Sequence, residues 1–589
     1  MRERVADLLA RLTGAEKIAM LHQYQPAVPR LGVEAFRTGT EALHGVAWLG
    51  PATVYPQAIG LASTWNPELV RAVGDATATE VRGFHDKDPV THGLNVWAPV
   101  VNPLRDPRWG RNEEGYSEDP LLTSVMGTAY ASGLRGDHPV YLKTAPTVKH
   151  FLAYNNETDR FTTSSSIRDR VLHEYEYPCH RGPIEAGAAV AVMPSYNLVN
   201  GRPAHLSPHL NDLRGWSEDE IAVLSDALAP SNVVDLQAYY DTRTAGYAAL
   251  LKAGLDSFTD HEDDPQPAIG ILTEALRAEL ITESDVDRAV GRVLSLRVRL
   301  GEFDPPGANP YATISQDVIA NADHGALALE AARQSIVLLK NDRALLPLDA
   351  GRTGRIAVIG THANVVFNDR YSGTLPYAIT PADGLEAVHP GQIDRVEGVD
   401  RVTFRTGEWY LTVRPDGTAG GTAWWSELSE FDLFDWGRGL VTLRAAATGE
   451  YLAAGEGGEL VVTDLMPGGR YVRELVEITH VPGGGCTLRN VALDRHLAVR
   501  RGGGFEFVEA EDDATVLALH VERDGVAEAL DRAAGADVAI VFVGNDPHVN
   551  GRETQDRVDL DLPPHQAELV AAVRQVNPRT VLVVVSSSP

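Results

Sequence analysis

The sequence predicts an α/β protein: a barrel of alternating strands and helices, then a second α/β domain that an all-β insert interrupts. Short apolar runs alternate with helical patterns over residues 1–303, continuous β-branched runs recur nearer the C-terminal end, and a glycine-rich segment lies among those runs. Strand–helix alternation over such a length is typical of a TIM-type (β/α)8 barrel, named after triose-phosphate isomerase. A doubly wound sheet is the alternative, but no glycine-rich phosphate loop follows any of these runs in the sequence.

The predicted barrel domain spans residues 1–303. Between its strands, stretches such as ELVRAVGDATATEVRGF, which begins at Glu68, place apolar residues at three- and four-residue intervals, and this spacing predicts helices. The strands themselves are predicted in apolar runs that have the length and composition of buried strands. These runs are NVWAPVV from Asn95, TVKHFLAY from Thr147, AVAVMPSYN from Ala189, IAVLSDA from Ile221 and LKAGLDSF from Leu251.

A linker rich in proline and glycine, residues 304–320, separates the barrel from the second α/β domain, which we place at residues 321–398 and 522–589. This domain is predicted to begin with the helix ADHGALALEAARQSIVLL. Its strands RIAVIG, VAIVFVG and TVLVVVS are continuous and β-branched, as is typical of parallel strands buried on both faces. No further crossover follows the last of these strands, so we expect the natural protein to continue beyond Pro589.

Residues 399–521, inside the second domain, differ from their surroundings because glycines cluster there and short alternating runs replace helical spacing. A weak repeat at intervals of about 40–45 residues aligns Leu411, Leu452 and Leu497. Three such repeats of short strands resemble the β-trefoil of ricin-like and fascin-like modules. Trefoils bind sugars in some proteins and only pack in others, and the sequence leaves both roles open. Either role suits the tryptophans of the insert, which are Trp409, Trp424, Trp425 and Trp436.

The composition excludes several classes of function. The net charge of -29 argues against nucleic acids and anionic membranes as partners, because both are polyanions. Two distant cysteines, Cys179 and Cys486, support neither a disulfide framework nor a zinc site, and we predict no cofactor and no metal. No apolar run reaches the ~20 residues of a membrane span, and the N-terminus lacks the apolar core of a signal peptide, so we expect a cytoplasmic protein. Whether the protein forms a homo-oligomer stays open.

Polar residues follow one predicted barrel strand after another. In the charged loop RDPRWGRNEEGYSEDP, which follows NVWAPVV, we expect Asp106, Arg108 and Glu118 only to brace the loop. Each of the other strand-end residues, taken singly, is also explained by a helix cap or a buried ion pair. The carboxyl ends of parallel barrel strands meet at one rim, however, and an acidic, cationic and hydroxyl lining suits a ligand with many hydroxyl groups. The rim residues are Glu41, Arg111, Lys149, His150, Tyr196 and Asp226.

Four motifs, in this order, resemble the barrel domain of the family 3 glycoside hydrolases: RDPRWGRNEEGYSEDP, KHFLAYNNE, MPSYNLVNGRP and VLSDA. SIVLLKND followed by RIAVIG is similar to the second domain of that family. The resemblance implies a retaining mechanism in which Asp226 is the nucleophile and Glu553, in GRETQDR, is the acid/base. It further implies that the other rim residues hold the hydroxyl groups of the terminal sugar. These are Glu41, Arg111, Lys149, His150 and Tyr196.

The chemistry of retention sets two expectations for these carboxyl groups. They should lie about 5–5.5 Å apart, one ionised and one protonated. We expect Arg111 and Lys149 to keep Asp226 ionised, because nearby positive charge lowers the pKa of a carboxyl group. We expect a raised pKa for Glu553, which would reach the pocket on a loop from another domain and lie in a drier setting.

Three departures from the family pattern bear on these assignments. Ala227 and Leu228 follow the Ser-Asp motif where bulky or polar residues are usual, which alters the local shape of the pocket rather than the nucleophile. FLAYNNETD lacks the His/Asp dyad of the subgroup that acts on N-acetyl sugars, so we exclude that subgroup. The glutamate that many members carry two positions before the acid/base is Gly551 here. Asp546 and His548, on the same loop, are the reserve candidates for the acid/base.

Two motifs favour a β-xyloside substrate. Glu41 begins EALHG, a motif that xylosidase-like members share, whereas glucosidase-like members commonly carry an aspartate at this position. The glutamate side chain is one methylene longer and narrows the pocket where a hydroxymethyl group would lie. NDRYSG, residues 368–373, is also similar to the corresponding segment of the xylosidase-like members. We therefore predict a retaining, exo-acting β-glycosidase that favours β-xylosides, with β-glucosidase as the runner-up. One hydroxymethyl group is worth only about 1–3 kcal/mol, so mixed specificity is compatible with this prediction.

Two hypotheses from other classes remain as alternatives. The same scaffold could serve a non-catalytic sugar-binding or sensing protein, since a fold does not guarantee activity. The presence of both Asp226 and Glu553 favours the enzyme over this alternative. The second domain could bind a nucleotide, but THAN follows Ile359 and Gly360 in place of a phosphate-binding glycine pattern.

Overall fold

A computed structural model of the protein describes residues 2–463, 466–469 and 471–588. The first part of the chain alternates helices with short strands. None of the described helices is long and apolar enough to span a membrane. The helices of this part are α1 (Arg2–Arg11), α2 (Gly14–Ala19), α3 (Ala58–Ser63), α4 (Pro67–Lys87), α5 (Pro120–Arg135), α6 (Asp169–Val171), α7 (Tyr177–Glu185), α8 (His209–Arg214), α9 (Ala229–Asp235), α10 (Arg243–Ala253), α11 (Gln266–Arg277) and α12 (Glu283–Arg299). Its strands are β1 (Tyr24–Gln25), β2 (Phe36–Thr40), β3 (Asn95–Val96), β4 (Ala145–Phe151), β5 (Ser164–Ser165), β6 (Ala191–Pro194), β7 (Leu198–Val199), β8 (Arg202–Pro203) and β9 (Ala222–Val223).

Six strands of the first part form one sheet in the order β1-β2-β3-β4-β6-β9. Neighbours from β2 onward are parallel, whereas β1 and β2 are antiparallel. Parallel bridges from Leu224 to Ser257 and from Phe258 to His22 close this sheet into a ring. Among the described residues the ring therefore has seven strand segments and one antiparallel pair, which departs from the predicted set of eight parallel strands.

The strands of the ring are buried on both faces. Neighbouring residues of β6, Ala191 and Val192, belong to two different apolar clusters, as expected when successive side chains point to opposite faces. Outside the ring, α4 packs against α5 and α5 packs against α7. β3 ends at Val96, earlier than the run NVWAPVV predicts, and Pro99 within that run has no N–H to donate to a neighbouring strand.

The second part of the chain contains two further sheets, one parallel and one antiparallel. Its helices are α13 (Ala322–Ser335), α14 (Pro381–Val388), α15 (Gly525–Ala534) and α16 (Pro564–Val576). Its strands are β10 (Arg355–Ile359), β11 (Gln392–Val396), β12 (Asp400–Thr406), β13 (Trp409–Val413), β14 (Ala419–Thr422), β15 (Phe431–Asp435), β16 (Leu440–Ala445), β17 (Tyr451–Ala454), β18 (Leu460–Thr463), β19 (Val476–His480), β20 (Cys486–Asn490), β21 (Arg495–Val499), β22 (Phe505–Val508), β23 (Ala518–Arg523), β24 (Val538–Gly544) and β25 (Thr580–Val585).

The parallel sheet of the second part has the order β11-β10-β24-β25. It contains the three predicted strands and one more, β11, whose sequence QIDRV is too polar to have stood out as a buried run. The prediction that TVLVVVS is buried on both faces is wrong, because β25 lies at the edge of the sheet and Leu582 and Val584 are about half exposed. The first helix is also shorter than predicted: α13 ends at Ser335, before Ile336 and Val337, whose branched side chains favour extended backbone.

Within its described residues, the insert forms an antiparallel sheet of twelve strands, β12 to β23. Leu411, Leu452 and Leu497, which the sequence repeat aligns, are all buried in one apolar cluster of the insert, so the repeat reflects equivalent core positions. The first and last strands pair with each other, with Arg401 opposite Arg523. The insert therefore enters and leaves the second part of the chain at one place.

Candidate active site

The predicted rim residues converge at the carboxyl ends of the ring strands. Glu41 directly follows β2, Arg111 lies in the loop after β3, and Lys149 and His150 are at the end of β4. All of these side chains are buried, as are those that follow β6 and β9. The last two are Tyr196 and Asp226.

The carboxylate of Asp226 is held through one of its two oxygens. Oδ1 accepts hydrogen bonds from the Tyr196 hydroxyl and from the Ala227 N–H, both at 2.8 Å. The other oxygen, Oδ2, is buried and has no hydrogen-bond partner among the described residues, and His150 Nε2 lies 3.7 Å from it. An oriented carboxylate with one unpaired oxygen is suited to attack an electrophilic carbon.

Opposing influences act on the protonation of Asp226. Burial raises its pKa, whereas Arg111, Lys149 and the Tyr196 hydroxyl lower it, and the net direction is upward. The two cations lower the pKa of Asp226, as expected from the sequence, but they do not outweigh the desolvation of a fully buried carboxyl group. Burial and the same cations hold the pKa of His150 well below its usual range, so this ring is neutral beside Asp226.

Two charged pairs stand beside this carboxylate. Lys149 Nζ donates to both oxygens of Glu41, at 3.0 and 2.9 Å. Arg111 makes a bidentate contact with Glu114, Nε to Oε1 at 2.5 Å and Nη2 to Oε2 at 2.6 Å. Burial raises the pKa of Glu41 to about 7 although Lys149 opposes it. The pairs thus present fixed donors and acceptors at one end of the pocket, as hydroxyl recognition requires.

Glu553 reaches the same pocket on the loop that follows β24. Its Oε1 lies 3.0 Å from Arg160 Nη1, and its Oε2 accepts from the Tyr371 hydroxyl at 3.4 Å and contacts Arg370 Nε at 2.5 Å. The Arg160 guanidinium also lies 4.6 Å from the centroid of the Tyr196 ring, whose hydroxyl binds Asp226. Arg160 and Tyr196 therefore connect the two carboxyl groups.

The charge on Glu553 differs from the sequence prediction. Burial raises its pKa, but Arg111, Arg160 and Arg370 together lower it to about 2. The predicted upward shift is wrong for this arrangement, because three guanidinium groups from three separate loops surround the carboxylate. Glu553 is therefore ionised here, and a role as proton donor requires that bound sugar change its neighbours.

The loop that carries Glu553 is fastened to the first part of the chain by Asp556. Its carboxylate accepts the backbone N–H groups of Gly110 at 3.0 Å, Glu157 at 2.8 Å and Thr158 at 3.0 Å. Glu157 in turn accepts the Thr554 N–H at 2.8 Å. These bonds join the loop to the two first-part loops that contain Arg111 and Arg160.

Sequence reasoning missed four residues around Glu553. Arg160 and Glu157 form a buried pair at 2.9 Å within FLAYNNETDR, which was used only to exclude a subgroup. Arg370 and Tyr371 lie in NDRYSG, which was used only as an indication of substrate. The sequence did contain a signal for the pair of Glu157 and Arg160. The arginine lies three residues after the glutamate, in the segment that follows the Lys-His strand. No comparable signal links residues 370 and 371 to Glu553, because they come from a distant loop.

The other predicted residues have simpler surroundings. Arg108 and Asp106 pair at 2.7 Å and brace their loop, as predicted, while the backbone carbonyl of Glu118 accepts the Tyr175 hydroxyl. Asp546 and His548 are buried, and in the described part of the chain neither forms a hydrogen bond or an ion pair with the six rim side chains. Among the described residues, no group of three or more His, Cys, Asp or Glu side chains is arranged to hold a metal ion.

Comparison with known proteins identifies the family of this chain. Residues 9–296 match the Glycosyl hydrolase family 3 N terminal domain, and residues 336–589 match the Glycosyl hydrolase family 3 C-terminal domain. The chain belongs to glycosyl hydrolase family 3. Its second family 3 match runs through the all-β insert as well as the parallel sheet.

Curated relatives match about two thirds of this chain. Beta-D-xylosidase 1 of Arabidopsis thaliana is 36% identical over 403 residues, which cover 65% of this chain and 51% of the relative. Xylan 1,4-beta-xylosidase of Xylanibacter ruminicola is 34% identical over 443 residues, which cover 72% of this chain and 51% of the relative. The chain thus spans about half the length of these curated relatives.

Two solved structures share the fold of this chain. A GH3 exo-beta-xylosidase (XlnD), in complex with a xylobiose aziridine activity based probe, has a TM-score of 0.72 at 25% identity, covering 99% of this chain and 61% of that one. DesR, a beta-glucosidase from Streptomyces venezuelae in complex with D-glucose, has a TM-score of 0.69 at 25% identity, with coverage of 99% and 72%. The family 3 architecture therefore comprises an N-terminal α/β part and a C-terminal part built on sheets.

Proposed function

We propose that this family 3 chain is a retaining, exo-acting β-glycosidase that favours β-xylosides. The observation that carries the proposal is the linkage of two buried carboxyl groups in one polar pocket. Asp226 binds the Tyr196 hydroxyl at 2.8 Å, Arg160 lies over the Tyr196 ring, and Arg160 pairs with Glu553 at 3.0 Å. Two carboxyl groups that share one pocket are what retention of the anomeric configuration requires.

In the first step, Asp226 Oδ2 forms a bond to the anomeric carbon while the bond from that carbon to the leaving oxygen breaks. Glu553 gives its proton to the leaving oxygen. In the second step, Glu553 takes a proton from water, which attacks the same carbon and releases Asp226. The unpaired Oδ2 and the bound Oδ1 of Asp226 suit this role, because the carboxylate is already oriented before sugar enters.

Glu553 must gain a proton before it can act as an acid. Of its guanidinium partners, Arg370 has a side chain that is 29% exposed, whereas Arg160 is buried. We infer that an entering leaving group displaces Arg370 and excludes water from Glu553. Loss of one positive neighbour and further desolvation both raise the pKa of a carboxyl group, so binding would move Glu553 toward the protonated form.

The substrate preference rests on the Glu41–Lys149 pair at the closed end of the pocket. Both side chains are buried and in bidentate contact, and we infer that a glutamate here leaves less room for the distal part of a sugar than a shorter aspartate would. A xylosyl group, which has no hydroxymethyl substituent, suits this space better than a glucosyl group. The names of the Arabidopsis and Xylanibacter relatives support the same choice, and similarity to the DesR beta-glucosidase supports β-glucosides as the second candidate.

Two structural features belong to this proposal. We propose that the ring is a TIM-type (β/α)8 barrel altered at its first strands, with residues 1–303 as its domain. We also propose that residues 399–521 are a β-trefoil, because twelve described strands form one antiparallel sheet and the leucines of the threefold sequence repeat are buried in one apolar cluster. The remaining boundaries would be a linker at residues 304–320 and a discontinuous α/β domain at residues 321–398 and 522–589.

A panel of aryl glycosides tests the proposed function. Aryl β-xyloside, β-glucoside and α-L-arabinofuranoside would be compared by kcat/KM under the same conditions. We expect hydrolysis of the β-xyloside with the highest kcat/KM, and a first-formed sugar with the β configuration. Absence of hydrolysis of every substrate in the panel, with a folded protein, would favour a non-catalytic sugar-binding protein.

A further inference from the structure

One turn of the all-β insert packs against loops of the candidate active site. This insert turn, residues 436–440, joins β15 to β16, and the Trp436 N–H closes it by donating to the Leu440 carbonyl at 2.9 Å. The Trp436 side chain is buried, and its indole N–H donates to Thr442 Oγ1 at 3.1 Å. Backbone and side-chain bonds therefore hold the indole in one orientation.

The acid/base loop, residues 545–557, lies against the insert turn. Asn550 Nδ2 donates to the Trp436 carbonyl at 3.1 Å, and Asn550 Oδ1 accepts the Asp546 N–H at 3.1 Å. Val549 is buried in the same apolar cluster as Trp436. The insert is thus joined to this loop by polar and apolar contacts just before Glu553.

A second loop of the site meets the same indole. Phe367 packs edge-on against Trp436, with ring centroids 6.2 Å apart and an interplanar angle of 85°. Phe367 leads directly into the segment that presents Arg370 and Tyr371 to the Glu553 carboxylate. Trp436 therefore packs against both the loop that carries Glu553 and the loop that supplies Arg370 and Tyr371, two partners of Glu553.

We propose that Trp436 is a positioning residue for Glu553 and that the insert turn fixes the place of this carboxyl group relative to the sugar. The inference rests on the proposed function for the acid/base role of Glu553. A general acid must lie within hydrogen-bond reach of the leaving oxygen, and a displacement of ~1 Å costs on the order of a hundredfold in rate. Trp436 contributes by holding two loops and has no direct part in the chemistry.

Leaving-group dependence separates this positioning role from a general structural one. A 4-methylphenyl β-xyloside needs a proton on its leaving oxygen, whereas a 2,4-dinitrophenyl β-xyloside departs without one. We expect Trp436→Ala to lower kcat/KM at least tenfold on the first substrate and less than threefold on the second. Trp436→Phe, which keeps an aromatic ring, should recover part of the loss. Trp424→Ala is the matched control, because Trp424 lies on the same insert and is 81% exposed.

Hydrogen–deuterium exchange measures the same contact without any substrate. We expect residues 545–557 to exchange faster in Trp436→Ala than in the parent protein, with no change in Trp424→Ala. If the parent protein hydrolyses no glycoside, the proposed function fails, whereas the exchange comparison still decides whether the insert turn orders this loop. Should Trp436→Ala not fold, Asn550→Ala removes the hydrogen bond to the turn and should shift both readouts in the same direction.

Two results would overturn the inference. Equal losses on the two β-xylosides would mean that Trp436 affects the whole pocket rather than the proton donor. Unchanged exchange of residues 545–557 in both Trp436→Ala and Asn550→Ala would mean that the insert turn does not hold the acid/base loop.

Discussion

The guanidinium of Arg160 lies 3.0 Å from the carboxylate of Glu553, although 393 residues separate the two in the sequence. This ion pair joins a loop of the strand ring to a loop of the second part of the chain. Arg160 also pairs with Glu157, whose carboxylate accepts the Thr554 N–H beside Glu553. The position and the charge of Glu553 are therefore set by residues outside its own loop.

The first prediction concerns stability as a function of pH. The pKa of Glu553 is lowered from 4.5 to about 2, so its ion pairs stabilise the fold fully above pH 4.5 and lose this effect as the pH falls toward 2. A shift of this size corresponds to on the order of 3 kcal/mol. Glu553→Gln should therefore be less stable than the parent protein at pH 6, and the difference in urea midpoint should shrink between pH 5 and pH 3.

Glu568→Gln is the matched control for this measurement, because Glu568 is an exposed residue of α16. Its stability should follow that of the parent protein at every pH. A constant difference between Glu553→Gln and the parent protein across the whole range would contradict the assigned ion pairs.

The second prediction concerns Asp556, whose carboxylate accepts three backbone N–H groups from two loops of the strand ring. Asp556→Asn weakens this contact, since a neutral amide accepts less strongly and presents only one oxygen. We expect kcat/KM on an aryl β-xyloside to fall roughly tenfold to a hundredfold, because Glu553 loses its fixed position. Asp561→Asn, at an exposed site on the same segment, should retain full activity. Equal activity of the two variants would show that this docking contact is not needed.

The third prediction concerns the choice of sugar. Glu41→Asp shortens the side chain and withdraws its oxygens from Lys149, which should make more room beside this pair for a hydroxymethyl group. We expect the ratio of kcat/KM for aryl β-xyloside over β-glucoside to fall by about tenfold, which corresponds to about 1.4 kcal/mol. Both substrates are measured on one preparation, so the fraction of active protein cancels. A parent protein that prefers the β-glucoside tenfold or more would refute the predicted preference.

Much of the site could be predicted from sequence because ring strands deliver their residues to one rim. Lys149 and Asp226 each lie in an apolar run near the carboxyl end of a ring strand, and this position was enough to predict that both reach one rim. Arg370 could not be found in this way, because it reaches Glu553 on a loop of the second part of the chain. The direction of the pKa shift of Glu553 was predicted wrongly for the same reason.

The fold was predictable to a similar extent. The repeat in the insert marked core positions such as Leu411 and Leu497, because equivalent strands bury equivalent residues. The polar strand β11 was missed, since burial at an edge does not require a continuous apolar run. The antiparallel pairing of β1 with β2 was also missed, because two residues are too few to show a periodic pattern.

The fourth prediction concerns loss of the nucleophile. Asp226→Ala should lower turnover by roughly a thousandfold or more while leaving the fold intact, because the variant lacks the attacking oxygen. Small anions such as azide can enter the vacated space and attack in place of the carboxylate. We expect azide to restore part of the activity and to give a glycosyl azide of inverted configuration, detected by NMR. Substantial hydrolysis by Asp226→Ala without added anion would contradict the assignment.

A covalent trap tests the central claim most directly. The parent protein would be incubated with a 2,4-dinitrophenyl 2-deoxy-2-fluoro-β-xyloside, whose fluorine slows release of the covalent intermediate more than its formation. We predict that the intact mass increases by one fluorinated xylosyl group and that peptide mapping locates this group on Asp226. An adduct on another residue, or release of dinitrophenol with no adduct at any stage, would contradict the account.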